Sequence, residues 1–133
     1  MILADTSAWV EYDRATGSRV DLRMVDLVDT ADLAVTEPVL MEVLAGARDD
    51  TREQQLAAML NRYPLRRIEP TVDFAAAATV YRRCRRAGVT PRGLLDCLIA
   101  AIAQRHGDHL LAHDADMRRV AEIIGLPLDP ASA

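Results

Sequence analysis

Three short apolar runs, "MILA", "DLAVTE" and "HLLA", and a weaker one, "PLRRIEP", recur along the chain with stretches of helical periodicity between them. That alternation is the strongest constraint on the fold. Strands separated by whole helices cannot pair as hairpins; they pair in parallel, because parallel neighbours need crossover connections and helices make them. The expectation is therefore an α/β sandwich around a parallel sheet. Thr6 or Ser7 offers an N-cap for a helix beginning around "AWVEY", and Val20, Met24, Leu27 and Val28 fall near a helical period in residues 18–29. "EPVLMEVLAG" has Pro38 in its first turn and Gly46 as a stop, and "TREQQLAAMLNRY" has Thr51 as a cap. A helix over "TVDFAAAATVYRRCRRAG" closes at Gly88. The next opens at Thr90 and Pro91 and closes at Gly107, the last covers "DADMRRVAEIIG", "LPLD" is a possible edge strand, and the tail "DPASA" is expected to fray.

The 133 residues fit one domain, 1–133, large enough to bury roughly two-thirds of the surface of its unfolded chain. Half of them are hydrophobic, 4% aromatic and 27% charged, the balance of a soluble globular protein. The longest nearly apolar run, "LLDCLIAAIA", is too short to span a bilayer and contains a charge, so the reading is cytoplasmic with no membrane association. Cys84 and Cys97 lack metal-site spacing and read as reduced thiols. A net charge of −4 speaks against a sequence-independent DNA coat. All 16 basic residues are arginine.

Most of the 20 acids sit among polar neighbours and read as solvated, but a few do not. Asp5 ends the first strand, Glu42 is the only charge in "VLMEVLAG", Asp96 is the only charge in residues 94–103, and Asp114 and Asp116 follow the fourth strand. In an open parallel sheet, ligand-binding groups collect at the carboxyl ends of strands and at adjoining helix starts. Asp96 lies in the second turn of its expected helix, close enough for the N-terminal dipole to favour an anion. Two carboxylates about 4 Å apart repel by roughly 4 kcal/mol at an effective dielectric near 20. Such a cluster needs a counter-charge, and with lysine absent a divalent cation, Mg²⁺ or Mn²⁺, suits an all-oxygen site. Simpler roles exist: Arg92 could pair with Asp96, and Asp114 could cap the last helix with Asp116 in its first turn.

Taken in order, "ILADTSAWVEY", the glutamate of "VLMEVLAG", "LLDCLIAAIAQRHG" and "LLAHDADMRRVA" resemble the PIN-domain ribonucleases, and among them the VapC-type toxins. The resemblance covers almost the whole chain. It implies a three-layer α/β/α sandwich with a four- or five-stranded parallel sheet, and an acidic site of Asp5, Glu42, Asp96 and Asp114, with Asp116 as an additional acid. Asp5, Asp96, Asp114 and Asp116 would hold Mg²⁺ or Mn²⁺. Many relatives carry a threonine and a phenylalanine where this chain has Ala112 and Met117, which leaves Thr6 and Ser7 as the hydroxyls near the acids. The implied reaction is metal-dependent hydrolysis of RNA, for which bound metal can acidify water and neutralise the leaving alkoxide without a protein nucleophile. A homodimer and a cognate antitoxin are the implied partners.

Arg82, Arg83, Arg85 and Arg86 complement a helix C-terminus, and Arg82, Arg83 and Arg86 with Arg92, joined by Arg66 or Arg67, could also track RNA phosphates. Few aromatics are available for stacking, so recognition of RNA shape and backbone is expected. His106, His109 and His113 read as surface or capping groups rather than an acid–base pair. A phosphoacceptor receiver domain would need a lysine, nucleotide-binding glycine motifs are absent, and the Asp-x-Asp pair stands at the wrong end for a dehalogenase-type phosphatase. The rival from another class is a catalytically silent PIN-like module that binds RNA or protein.

Overall fold

The computed structural model describes residues 1–133. Strand β1 (Ile2–Ala4) leads into helices α1 (Thr6–Arg14) and α2 (Arg19–Leu27). Strand β2 (Leu33–Thr36) leads into α3 (Glu37–Ala45) and α4 (Asp50–Leu60), and β3 (Leu65–Arg66) into α5 (Pro70–Arg86) and α6 (Leu94–His106). Strand β4 (His109–Leu111) precedes α7 (Ala115–Ile124). All pairings are parallel and the order is β3-β2-β1-β4. The chain thus steps outward from β1 to β3 and then crosses back to place β4 on the other side of β1. Strand order reverses beside β1, and a crevice opens at the carboxyl ends of β1 and β4.

The sandwich expected from the sequence is present, with a sheet of four strands between helices. The core is aliphatic: Leu3, Leu33, Val35, Leu110 and Leu111 from the strands meet Met24, Met117 and the buried stretch Cys97 to Ala103 of α6. Both cysteines are free and buried. No helix is long and apolar enough to cross a membrane.

Three helix starts differ from expectation. Helix α1 is capped by Asp5 rather than by Thr6 or Ser7, and α4 by Asp49 rather than Thr51; in each case the preceding aspartate carboxylate takes the free amide first. Helix α6 starts after Gly93 instead of Thr90, because buried Pro91 anchors the connection as a loop. Asp96 consequently lies in the first turn of α6, closer to the dipole than its expected second-turn position. "LPLD" contributes one bridge, Leu110 to Leu128, and no strand. The tail is held rather than frayed: the Ala133 amide donates to the Ala112 carbonyl, Arg19 to the carbonyls of Pro130 and Ser132, and Arg23 to Asp129.

Several acids that look ordinary in the sequence are buried. Asp73 takes two hydrogen bonds of 2.8 Å from Arg105 and another from the Glu69 amide. Asp108 takes two from Arg66, at 2.8 and 2.9 Å, and lies 3.4 Å from the N-terminal ammonium. Asp129 pairs with Arg23 at 3.1 Å. Arg66, a possible phosphate contact by sequence, is thereby committed to the interior.

The Arg105 guanidinium holds the Asp73 carboxyl below the usual carboxylate range. The stability this contributes is present above the unfolded value near 4 and is lost as pH falls through the lower folded value. Asp73→Asn should therefore lower unfolding free energy by roughly 3 kcal/mol near neutral pH, with a smaller deficit in acid, as read by urea titration at both pH values.

Candidate active site

At the carboxyl end of β1 the Asp5 amide donates to the Leu111 carbonyl of β4, fixing where the two strands end relative to each other. The Asp5 side chain is 3% exposed. Its Oδ1 takes the Ala8 amide at 3.0 Å and the Ser7 hydroxyl at 2.6 Å. Ser7 Oγ in turn accepts the His113 amide at 2.8 Å, so one hydroxyl ties the start of α1 to the turn after β4. Thr6 donates to Glu42 Oε1 at 2.6 Å and ties α1 to α3. Both hydroxyls expected near the acids thus bond to them.

Asp5, Glu42, Asp96 and Asp114 line one cleft of about 470 Å³ together with Thr6, Ser7 and Arg92. Three of its walls come from helix starts or strand ends and the fourth from the middle of α3. Burial pushes the Asp5 carboxyl up to about 7, against the lowering effect of its Ser7 and Ala8 hydrogen bonds, and Asp96 and Asp114 add repulsion. Burial first, then the Asp114 and Glu42 carboxylates, raise Asp96 to about 6 against the lowering pull of Arg92. The Asp96 side chain makes no hydrogen bond or ion pair within the protein. The contrast with Asp73, Asp108 and Asp129 is chemical: those acids are answered by arginine, and Asp5 and Asp96 are not.

While Glu42 has only the Thr6 hydroxyl, Arg92 answers Asp114 and Asp116. It contacts both oxygens of Asp114, at 2.8 and 2.7 Å, and Asp116 at 2.7 Å, rather than pairing with Asp96. Asp114 is also the N-cap of α7, its Oδ1 accepting the Asp116 amide at 3.2 Å, and Asp116 contacts Arg119 at 3.2 Å. With Arg92 drawing Asp114 and Asp116 to itself and the other acids repelling one another, no three of them form a ready coordination cage. The donor set still fits a hard divalent cation: it is all oxygen, partly buried, and holds three carboxyls, of Asp5, Glu42 and Asp96, that form no ion pair.

The sequence-derived arginine set separates into three places. Arg82 and Arg86, with Arg85, line a basic hollow at the end of α5. Arg83 turns away and donates to the Ile123 carbonyl. Arg92 stands at the cleft itself. Sequence reasoning missed the Arg92 clamp and the proximity of Gly93, Leu95 and Ile99, which also line the cleft. The proline before Arg92 was the available signal that a loop, not a helix, carries it.

A model of the PIN domain matches residues 2–123. The ribonuclease VapC11 of Mycobacterium tuberculosis is 48% identical over 128 residues, covering 95% of this chain and 96% of that protein. The ribonuclease VapC51 of the same species is 31% identical over 126 residues, covering 94% and 88%. Among solved structures, VapBC2 from Rickettsia felis bound to a DNA fragment from its promoter superposes with a TM-score of 0.75 at 18% identity, over 97% of this chain and 98% of that one. VapC20 of Mycobacterium tuberculosis, described as a sarcin-ricin loop cleaving toxin, gives 0.65 at 18% identity over 89% and 93%. At such identities these two establish a common fold.

A raised carboxyl pKa means that the folded chain binds its proton more tightly than the unfolded one. Folded stability therefore falls as pH rises from the unfolded value near 4 through about 6 for Asp96 and about 7 for Asp5. In chelator, Asp96→Asn should melt higher than wild type near pH 8 and almost level with it near pH 4, as followed by scanning calorimetry.

Proposed function

The chain belongs to the PIN-domain family, and from that premise we propose that residues 1–133 form one metal-dependent endoribonuclease, the toxin of a toxin–antitoxin pair. The observation that carries the reading is the single cleft lined by Asp5, Glu42, Asp96 and Asp114, of which only Asp114 is ion-paired to an arginine. Relatives named as ribonucleases match almost end to end and support the same chemistry.

Asp5, Asp96 and Asp114 would hold Mg²⁺ or Mn²⁺, with Asp116 joining once Arg92 releases it. A bound divalent ion would lower the pKa of water and offset charge on the phosphate and leaving oxygen. The chain's own residues do the positioning. Ser7 and the Ala8 amide fix Asp5 Oδ1, so the carboxylate cannot rotate away from the cleft. Thr6 fixes Glu42 Oε1, leaving the other oxygen of Glu42 to take a proton from water on the α3 side. Arg92, 70% exposed, can exchange its two aspartates for an RNA phosphate, and Arg82 and Arg86 extend the positive surface away from the cleft. The partners would be RNA, a cognate antitoxin and a second copy of the chain; exposed Leu22 and Val25 on α2 and Met41 on α3 offer apolar surface for protein contacts.

Sequencing the 5′ ends of cellular RNA after brief expression should reveal new, position-specific ends with wild type and none with Asp96→Asn. In parallel, Mn²⁺ should raise the melting temperature of wild type and leave that of Asp96→Asn nearly unchanged. Identical RNA ends from the two proteins would favour a silent binding module, and equal stabilisation by Mn²⁺ would remove Asp96 from the metal site.

A further inference from the structure

We propose that the hollow between the C-terminal half of α5 and the start of α6 is a nucleobase subsite that receives one unstacked base of the RNA beside the phosphate held in the acidic cleft; this rests on the endoribonuclease reading. The hollow measures about 400 Å³, within the size range of small-molecule sites, and its surface is mostly apolar. Tyr81, Pro91 and Leu94 supply the apolar part, and Arg82 and Arg92 the charge. It shares Arg92 and Gly93 with the acidic cleft and Arg82 with the basic hollow at the end of α5. Three concavities therefore abut in the order basic, apolar, acidic, which is the order of contacts that a single strand needs for backbone, base and scissile phosphate.

One local feature has no account in the fold itself. Leu94 is 59% exposed at the first position of α6, where the core gains nothing from it. Beside it Gly93 is the N-cap of α6, and a Cβ there would meet nothing within 4 Å. Its missing side chain leaves the passage between hollow and cleft open and the backbone accessible.

Tyr81 is also set apart among the few aromatic residues. Trp9, Tyr12 and Tyr63 cluster together, with Trp9 buried, and Phe74 sits two turns earlier on α5. Tyr81 alone borders the site. The half-buried Tyr81 packs against the core, has the Arg85 guanidinium over its ring at 6.0 Å from the centroid, and still lines the hollow, which Arg85 does not. Charge complementarity selects the occupant: an apolar floor between two arginines suits a flat base carried on a phosphate backbone, and stacking of this kind tolerates all four bases.

The test uses a short single-stranded RNA that the metal-loaded protein cleaves at one mapped bond, remade as a series with one abasic nucleotide at each position. Affinity for the intact metal-free protein is read by fluorescence anisotropy in chelator. An abasic nucleotide next to the mapped bond should weaken binding about tenfold, and elsewhere less than about twofold. Leu94→Ala and Tyr81→Ala should bind the intact RNA about tenfold more weakly and lose the position-specific abasic penalty, whereas Tyr81→Phe should restore it. Unchanged melting of Leu94→Ala, expected for an exposed side chain, separates this from misfolding. A cleaved RNA with a flat abasic profile, or variants that keep the full penalty, overturn the subsite alone. An RNA neither bound nor cut overturns the endoribonuclease reading and the subsite with it.

Discussion

The short network around Asp5 organises everything the cleft contains. One residue ends β1, caps α1 through Oδ1, and through its amide holds the end of β4. Ser7 passes the connection on to His113, just ahead of Asp114, and Thr6 passes it to Glu42 on α3. Elements far apart in sequence are thus fixed to one another by groups within three residues of a strand end. A carboxylate is suited to this because it accepts several donors at once. Its cost is burial, which the hydrogen bonds offset only in part, and the raised pKa of Asp5 records what is left over.

The chain distributes its acids according to what answers them. Two aspartates buried for architecture, Asp73 and Asp108, are each met by an arginine fork, Asp129 by a single Arg23 contact, and Asp21 by the Gly17 amide. Where aspartates line the cleft, the only arginine present comes from a loop and grips the two outermost ones. A guanidinium tethered in this way is a replaceable cation. It holds Asp114 and Asp116 near the site while leaving Asp5, Glu42 and Asp96 without an ion pair. The unpaired acids, not the clamped ones, distinguish this crevice from the internal ion pairs elsewhere.

The parallel sandwich was legible because its signals are local and repeated: apolar strands, helical periods, and stops such as Gly107, which does adopt a left-handed φ of +70°. The carboxylates of the cleft were legible because charge inside an apolar run is costly and so conspicuous. Asp73 and Asp108 escaped notice for the converse reason. Asp108 stands among polar residues, and Asp73, although between Val72 and Phe74, reads as an ordinary first-turn helix acid; the arginines that justify their burial are 32 and 42 residues away. Helix starts were misplaced where two capping residues compete within a few positions, a contest settled by which side chain the tertiary structure leaves free to turn back. The loop that carries Arg92 was signalled by Pro91, but the pairing of Arg92 with Asp114 and Asp116, 22 and 24 positions along, has no local signal.

The bound C-terminal tail has a consequence for how copies of this protein behave when crowded. Strand β4 lies at one margin of the sheet, and an open margin presents a row of backbone donors and acceptors that another chain can extend. Here Leu110 spends its amide on Pro127 and its carbonyl on Asp129, and the tail reaches as far as Ala112. The opposite margin, β3, is two residues long and carries Arg66. A molecule with neither margin available is protected against sheet-to-sheet polymerisation. Removal of residues 127–133 would free both the amide and the carbonyl of Leu110 and expose that margin as a template.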